Sequence, residues 1–162
     1  AVAELRDSGF PISLDLVGPS YKPALKRLFS VTKEVDPKNN FIHYSGAVKH
    51  SELNSYYHNA ELFIFASSCE NMPNILLEGM ASGLPIISSD RGPMPEVLGD
   101  AGIYFDPENI DTIKEAIIKM IESHSLRDTK AKASFELAQD FSWSCCANKT
   151  FDFLSKIGLN HK

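Results

Sequence analysis

The chain has 162 residues, enough for one domain with a sizeable core and short of the length at which cores usually split. Apolar residues make up 43% and charged residues 23%, close to globular averages, which excludes wholesale disorder and fibrous repeats. Lys and Arg number 16 against 21 Asp and Glu, a net charge of −5 with no basic block, so nucleic acid is not the expected partner. The longest apolar runs, such as Leu62 to Ala66, fall well below the roughly 20 residues of a bilayer span, and no charged-then-apolar leader opens the chain. Cys69, Cys145 and Cys146 cannot build a disulfide framework, which points to the cytosol. His43, His50, His58, His124 and His161 show no paired spacing of the kind zinc requires. The first residues, Ala1 to Asp7, read as the end of a helix closed by Gly9 and Pro11, as in a piece cut from a longer protein.

Short apolar runs then alternate with segments of helical period, the pattern of βα units around a mostly parallel sheet. Five strands are predicted: Ile12 to Val17, Phe41 to Tyr44, Leu62 to Ala66, Pro85 to Ser88 and Ile103 to Phe105. Between them, a helix over Lys22 to Thr32 places Leu25, Leu28, Phe29 and Thr32 on one face, and one over Ser51 to Asn59 carries Leu53, Tyr56 and Tyr57. Ile75 to Ser82 follows the third strand. Ile110 to Glu122 aligns Ile113, Ile117, Met120 and Ile121, with Asn109 or Asp111 as its cap. From about Arg127 to Ile157 the pattern is helical with a break near Phe141 and a second cap at Ser142. Trp143, Ala147, Phe151, Leu154 and Ile157 then form a stripe expected to be buried.

In open α/β sheets, ligands sit beyond the carboxyl ends of the strands, where helix N-termini offer unpaired amides. The loops after the strands are therefore the candidates. Gly18 closes the first strand, either to let backbone approach a ligand or as an ordinary turn residue, and Tyr44-Ser45-Gly46-Ala47-Val48 closes the second. The third loop, Ala66 to Asn74, carries Glu70 towards a pocket rim, and Pro73 and Asn74 suit the first helical positions. Glu78 comes one turn after Asn74. With 11 glutamates in the chain, a Glu-x7-Glu pair arises by chance about 0.7 times, so its context gives it weight. A charge favourable to the helix start is the competing account of Glu78.

From Ser67 to Asp90 the chain reads Ser67-Ser68-Cys69-Glu70-Asn71-Met72-Pro73-Asn74-Ile75-Leu76-Leu77-Glu78-Gly79-Met80-Ala81-Ser82-Gly83-Leu84-Pro85-Ile86-Ile87-Ser88-Ser89-Asp90. This resembles the donor-binding domain of retaining GT-B glycosyltransferases of the "group 1" family (family 4). That family carries Ser-x-x-Glu, Glu-x7-Glu and Pro-Asn-aliphatic-Leu-Leu-Glu. The likeness continues through Pro95-Glu96-Val97-Leu98 and Asp100-Ala101-Gly102, and backward through Gly46-Ala47-Val48 and Tyr56-Tyr57-His58-Asn59-Ala60-Glu61. It spans about Leu16 to Ile121, with looser agreement in the C-terminal helices.

The resemblance implies a Rossmann-like three-layer α/β fold over residues 1–162, a single C-terminal donor-binding domain truncated at its N-terminus. It implies transfer of a sugar from a UDP- or GDP-sugar to an acceptor hydroxyl with retention, in glycan or polysaccharide biosynthesis and without a metal. Glu70 would orient donor-sugar hydroxyls with Asn71 and Met72 beside it. Glu78 would accept from the ribose hydroxyls, the amides of Asn74, Ile75 and Leu76 would meet the diphosphate, and backbone at Gly18, Ala47 and Val48 would line the nucleotide site. The implied partners are the nucleotide sugar and an N-terminal acceptor domain, which could associate peripherally with a membrane at its cytoplasmic face. Three departures stand out: Asn71-Met72-Pro73 replaces a common Gly-Phe-Gly, Ala66 replaces a frequent proline, and the family's Gly-Arg loop and following lysine, with their strand, are not in the chain. The sheet is accordingly expected to be five parallel strands whose order skips a position, or one repaired by another chain. A non-catalytic nucleotide-sugar binding module is the main alternative. A receiver or flavodoxin-like domain lacks its acidic cluster, and a glycosidase is disfavoured because Glu78 falls within a helix.

Overall fold

A computed structural model describes residues 1–160 in backbone and 1–158 in side chains, so His161 lies outside the described residues. The order is α1 (Val2–Asp7), β1 (Leu14–Val17), α2 (Lys22–Val35), β2 (Ile42–Gly46), α3 (His50–Asn59), β3 (Phe63–Phe65) and α4 (Asn74–Ala81). It continues with β4 (Ile86–Ser89), α5 (Met94–Leu98), a 3-10 turn (Gly99–Ala101), β5 (Gly102–Phe105), α6 (Ile110–Glu122), α7 (His124–Ala138) and α8 (Trp143–Asn160). The five expected strands are present within one or two residues of their predicted limits, and every pairing is parallel.

The strands form two hydrogen-bonded ladders, β1–β2 and β3–β4–β5. The five strands thus divide two and three, with no ladder hydrogen bonds joining the two groups among the described residues. Within the larger ladder β4, Ile86-Ile87-Ser88-Ser89, is central and buried along its whole length, which explains why its sequence does not alternate apolar with exposed polar residues. Its residues nevertheless serve opposite faces. Ile86 joins Phe65, Leu76, Met80, Met94, Val97, Leu98 and Ala101 in one core, whereas Ile87 joins Leu5, Phe105, Ala116, Ile117 and Met120 in the other. Helices α4, α5 and α7 thus cover one face and α1 and α6 the other, the three-layer α/β sandwich expected.

Helix ends follow local chemistry. The Asn109 side chain accepts from the Asp111 amide at the start of α6, and that of Ser123 from the Leu126 amide at the start of α7. Ser142 accepts from the Cys145 amide at 3.1 Å, as predicted for the second C-terminal helix. Arg127 closes α6 by donating to the carbonyls of Met120 and Ile121 at 2.8 and 2.6 Å, satisfying acceptors that have no partner inside the helix.

Three expectations need correction. The α8 stripe is not buried: Trp143 is 91% exposed, Phe151 68%, Leu154 54% and Ile157 41%, and Ala147 is exposed too. Helical period identifies an apolar face without supplying anything to lie against it, and no other part of the chain among the described residues covers this one. The α2 face is likewise only partly covered; Leu25, Leu28 and Thr32 are half-buried while Phe29 is exposed, its ring edge-to-face with Tyr44 at 6.2 Å. A two-stranded ladder is too narrow to roof a four-turn helix. Helix α5, only five residues long, was not predicted. Its Pro95 masks a helical signal, and burial of Met94, Val97 and Leu98 holds it in place. No helix among the described residues is long and apolar enough to cross a membrane.

Candidate functional site

The loop from Ala66 to Pro73 leaves β3 at its carboxyl end and feeds directly into α4. Helix α4 is anchored by Leu76, Gly79 and Met80, all buried, a 3-4 spacing that sets one face on the core. Leu76 has no exposed surface, and burial of a leucine stabilises by about 1.5–3 kcal/mol. That anchoring leaves Asn74 and Ile75 exposed and Glu78 half-buried. At the helix entrance the Asn74 amide donates to the Met72 carbonyl at 2.9 Å, and the Leu77 amide to the Pro73 carbonyl at 3.1 Å. The amides of Ile75 and Leu76 have no hydrogen-bond partner among the described residues. Of the three amides predicted to meet an anion, two are therefore free and the third is engaged in the turn around Pro73.

Glu70 is half-buried, and its carboxylate forms neither a hydrogen bond nor an ion pair among the described residues. Its backbone carbonyl lies 3.8 Å from where a side chain on Gly92 would begin, so the loop after β4 packs directly on the loop after β3. Asn71 and Met72 are exposed beside it. The nearest cation in sequence on the β4 loop, Arg91, is occupied: it pairs with Asp106 at 2.9 Å and Asp90 at 3.4 Å.

Among the described residues the Glu78 carboxylate has one partner. The Tyr57 hydroxyl of α3 donates to its Oε2 at 3.1 Å. Burial, reinforced by the Glu78 charge and by this hydrogen bond, pushes the Tyr57 hydroxyl up to about 12, so it remains a donor at neutral pH. The Tyr57 ring is set edge-to-face on Phe63 of β3 at 5.9 Å. Phe63 in turn lies against α4 at Gly79, where a methyl group would stand 2.6 Å from the ring. Glycine is required at that position by close approach, and it follows Glu78 directly. Sequence reasoning placed Tyr57 on a helix face but missed its pairing with Glu78, 21 residues away; an aromatic residue in the helix before the site strand was the available signal.

The remaining predicted residues lie at the ends of β1 and β2. Gly18 has a φ of +138°, a conformation other residues rarely adopt. Its amide donates to the Gly46 carbonyl at 2.8 Å, and its carbonyl accepts from the Tyr44 hydroxyl at 3.0 Å. Gly18 thus fastens β1 to β2 with both backbone groups. Ala47 is exposed and Val48 half-buried, and neither has a backbone hydrogen bond among the described residues. Just beyond, the Lys49 amide donates to Glu52 Oε2 at 3.1 Å, closing the start of α3. An open depression of about 410 Å³ lined by Asp15, Glu52, Ser55, Tyr56 and Asn59 lies between β1 and α3 and includes neither Glu70 nor Glu78. No cluster of His, Cys, Asp and Glu able to hold a metal occurs among the described residues.

The family "Glycosyl transferases group 1" matches residues 1–136. The chain is 31% identical over 115 residues to the O-antigen chain mannosyltransferase B of Escherichia coli, a match covering 71% of this chain and 30% of that protein. In fold it resembles Anabaena Alr3699/HepE, crystallised with UDP, with a TM-score of 0.82 and 18% identity over 95% of this chain and 44% of that one. It also resembles the C-terminal domain of the group 1 family protein LpcC from Francisella tularensis, with a TM-score of 0.66 and 19% identity over 84% of this chain and 89% of that domain. The chain thus spans less than a third of the mannosyltransferase and most of an isolated C-terminal domain. With a match that runs from the first residue into α7 and includes both glutamates of the α4 site, the chain belongs to the glycosyl transferases group 1 family.

Proposed function

We propose that this chain is the donor-binding half of a retaining glycosyltransferase that takes a hexose from a UDP- or GDP-sugar and transfers it to an acceptor hydroxyl in glycan or polysaccharide synthesis. The observation that carries this reading is the mouth of α4, where two unpaired amides stand between a carboxylate without a protein partner, Glu70, and a carboxylate held by a single tyrosine, Glu78. The amides of Ile75 and Leu76 and the positive end of α4 suit a diphosphate. An ionised Glu78 one turn further in suits the two hydroxyls of a ribose. Glu70, on the loop beyond the phosphates, suits the sugar hydroxyls, with Asn71 and Met72 at its side. The unpaired backbone of Ala47 and Val48 is available to a base, and Gly18 shapes the adjoining turn. Leaving-group charge is stabilised by the helix start and by cations of the family's Gly-Arg loop and lysine, so chelators are expected to leave activity unchanged. The acceptor site belongs to a second, N-terminal domain of the complete enzyme, acting in the cytoplasm or on the cytoplasmic face of a membrane.

Alr3699/HepE has been crystallised with UDP and with UDP-glucose, which supports a uridine donor as the first candidate. A thermal-shift panel of UDP, GDP, UDP-glucose and GDP-mannose tests the proposal. One base series is expected to raise Tm in a dose-dependent way, and no response to any member up to about 50 mM, roughly fivefold above a 10 mM Kd, would remove the nucleotide-sugar reading.

A further inference from the structure

We infer that Tyr57 is a positioning residue for nucleotide recognition, holding one oxygen of Glu78 so that the carboxylate is oriented before the ribose arrives. The inference rests on the assignment of Glu78 to the ribose made above. A glutamate on a helix flank samples several rotamers, and ordering it upon binding costs side-chain entropy that a pre-existing bond removes. The Tyr57 hydroxyl supplies such a bond at 3.1 Å to Oε2. A carboxylate offers about four acceptor positions, so Oε1 and a second lone pair on Oε2 are left for two ribose hydroxyls.

The support behind Tyr57 is itself rigid. Its ring is fixed against Phe63 at 5.9 Å, Phe63 is stacked on Phe65 at 6.3 Å, and Phe65 is buried in the core under α4. Because Gly79 has no side chain, Phe63 can lie on the helix immediately after Glu78. The strand, α3 and α4 are thereby locked together around the carboxylate. Burial and the neighbouring Glu78 charge push the hydroxyl up to about 12, so Tyr57 keeps its proton at neutral pH and can donate it to Glu78.

Tyr57→Phe keeps the ring and its packing and removes only the donor. Its effect is read on the full chain by NMR titration with UDP and GDP and with their 2′-deoxy and 3′-deoxy counterparts, alongside thermal melts and the variants Glu78→Gln and Tyr57→Phe/Glu78→Gln. Tyr57→Phe is expected to weaken the better ribonucleotide by roughly 3- to 10-fold, less than removal of a direct bond to a charged group, and to weaken the deoxynucleotides less. In the Glu78→Gln background it should add nothing, as for a residue acting through Glu78. A wild type that discriminates the sugar hydroxyls beside a Tyr57→Phe variant of unchanged affinity and discrimination overturns the inference and leaves the ribose role of Glu78 intact. A fall in Tm with equal losses for all nucleotides overturns it in favour of a packing role. A wild type that binds neither base, or binds without discriminating ribose from deoxyribose, overturns both the inference and the reading on which it rests.

Discussion

Glu70 and Glu78 lie eight positions apart, and their different surroundings assign them different work. Glu78 is tethered to Tyr57, whereas Glu70 has no protein partner among the described residues. Glu78→Gln is expected to weaken nucleotide diphosphate binding by roughly 1.5–3 kcal/mol, the range for a hydrogen bond to a charged group. A 2′-deoxynucleotide should lose less, and equal losses for both in calorimetric titrations would return Glu78 to a helix-dipole role. Glu70→Gln in the complete enzyme should depress turnover far more than UDP or GDP affinity, because an interaction that strengthens as charge develops at the anomeric carbon lowers the barrier. Parallel kinetics and melts check this; a destabilised protein with proportionate loss of nucleotide binding would remove Glu70 from the mechanism. Asp36 plays a different part. Buried at 2% exposure, it accepts from the amides of Asn40, Phe41 and Ile42 at 2.8, 2.9 and 2.9 Å and so shapes the entry to β2. Burial pushes its carboxyl upward, but these three amides outweigh burial and hold it below the ordinary aspartate value. A depressed folded-state value means that the contribution is complete above the pH where a free aspartate titrates and is lost as pH falls through the folded value. The stability gap between wild type and Asp36→Ala, measured by urea denaturation, should therefore be full at pH 7 and shrink below about pH 4.

At the scale of elements, the two faces of the β3–β4–β5 ladder are the stable part and the helices flanking it differ sharply in coverage. Helix α6 buries Ala116, Ile117 and Met120 and is tied to α1 through Lys114, which bridges Glu4 at 2.7 Å and Asp111 at 2.8 Å. Those carboxylates push the Lys114 ammonium upward and are themselves held low. Helix α8 buries nothing comparable among its described side chains. Met120→Ala is accordingly expected to cost about 2–5 kcal/mol, while Trp143→Ala, despite removing the largest side chain, should change stability by no more than about 0.5 kcal/mol. Denaturant melts of the two variants of this chain decide it, and a large loss from Trp143→Ala would mean that α8 folds back on the domain. Gly79→Ala is expected to cost about 1–3 kcal/mol, as overpacking does, because the new methyl would meet the Phe63 ring at 2.6 Å; the same variant should weaken nucleotide binding through Tyr57.

For the molecule as a whole, the proposed function gives the chain one side of a two-substrate reaction. Transfer requires donor and acceptor to be held in one geometry, and the group 1 relatives are much longer than this chain. The chain alone is expected to bind its nucleotide with a Kd of about 0.1 to 10 mM, on the order of 3 to 5.5 kcal/mol, and to turn over no nucleotide sugar. Release of UDP or GDP with formation of a glycoside by the purified chain would falsify that division of labour.

The order of βα units, the limits of α6, the caps at Asn109 and Ser142 and the stretch from Ser67 to Asp90 are all legible in the sequence, because each is a local pattern of period, cap chemistry or spacing; the Ser123 cap, which starts α7 ahead of the expected Arg127, is not. Which apolar stripes become core is not. The α6 and α8 stripes look alike as periodicities, yet one lies on β4 and β5 and the other faces solvent, since a helix face carries no record of what packs against it. The division of five strands into two ladders is also a tertiary outcome: strand order depends on which edges meet, and alternation within a strand is silent about neighbours. The site shows the same boundary. Spacing alone put Glu70 before α4 and Glu78 one turn inside it, but only the packing of Phe63 on Gly79 carried the Tyr57 hydroxyl to the Glu78 carboxylate. Contacts between residues distant in sequence are decided by three-dimensional packing, and their chemistry is decided with them.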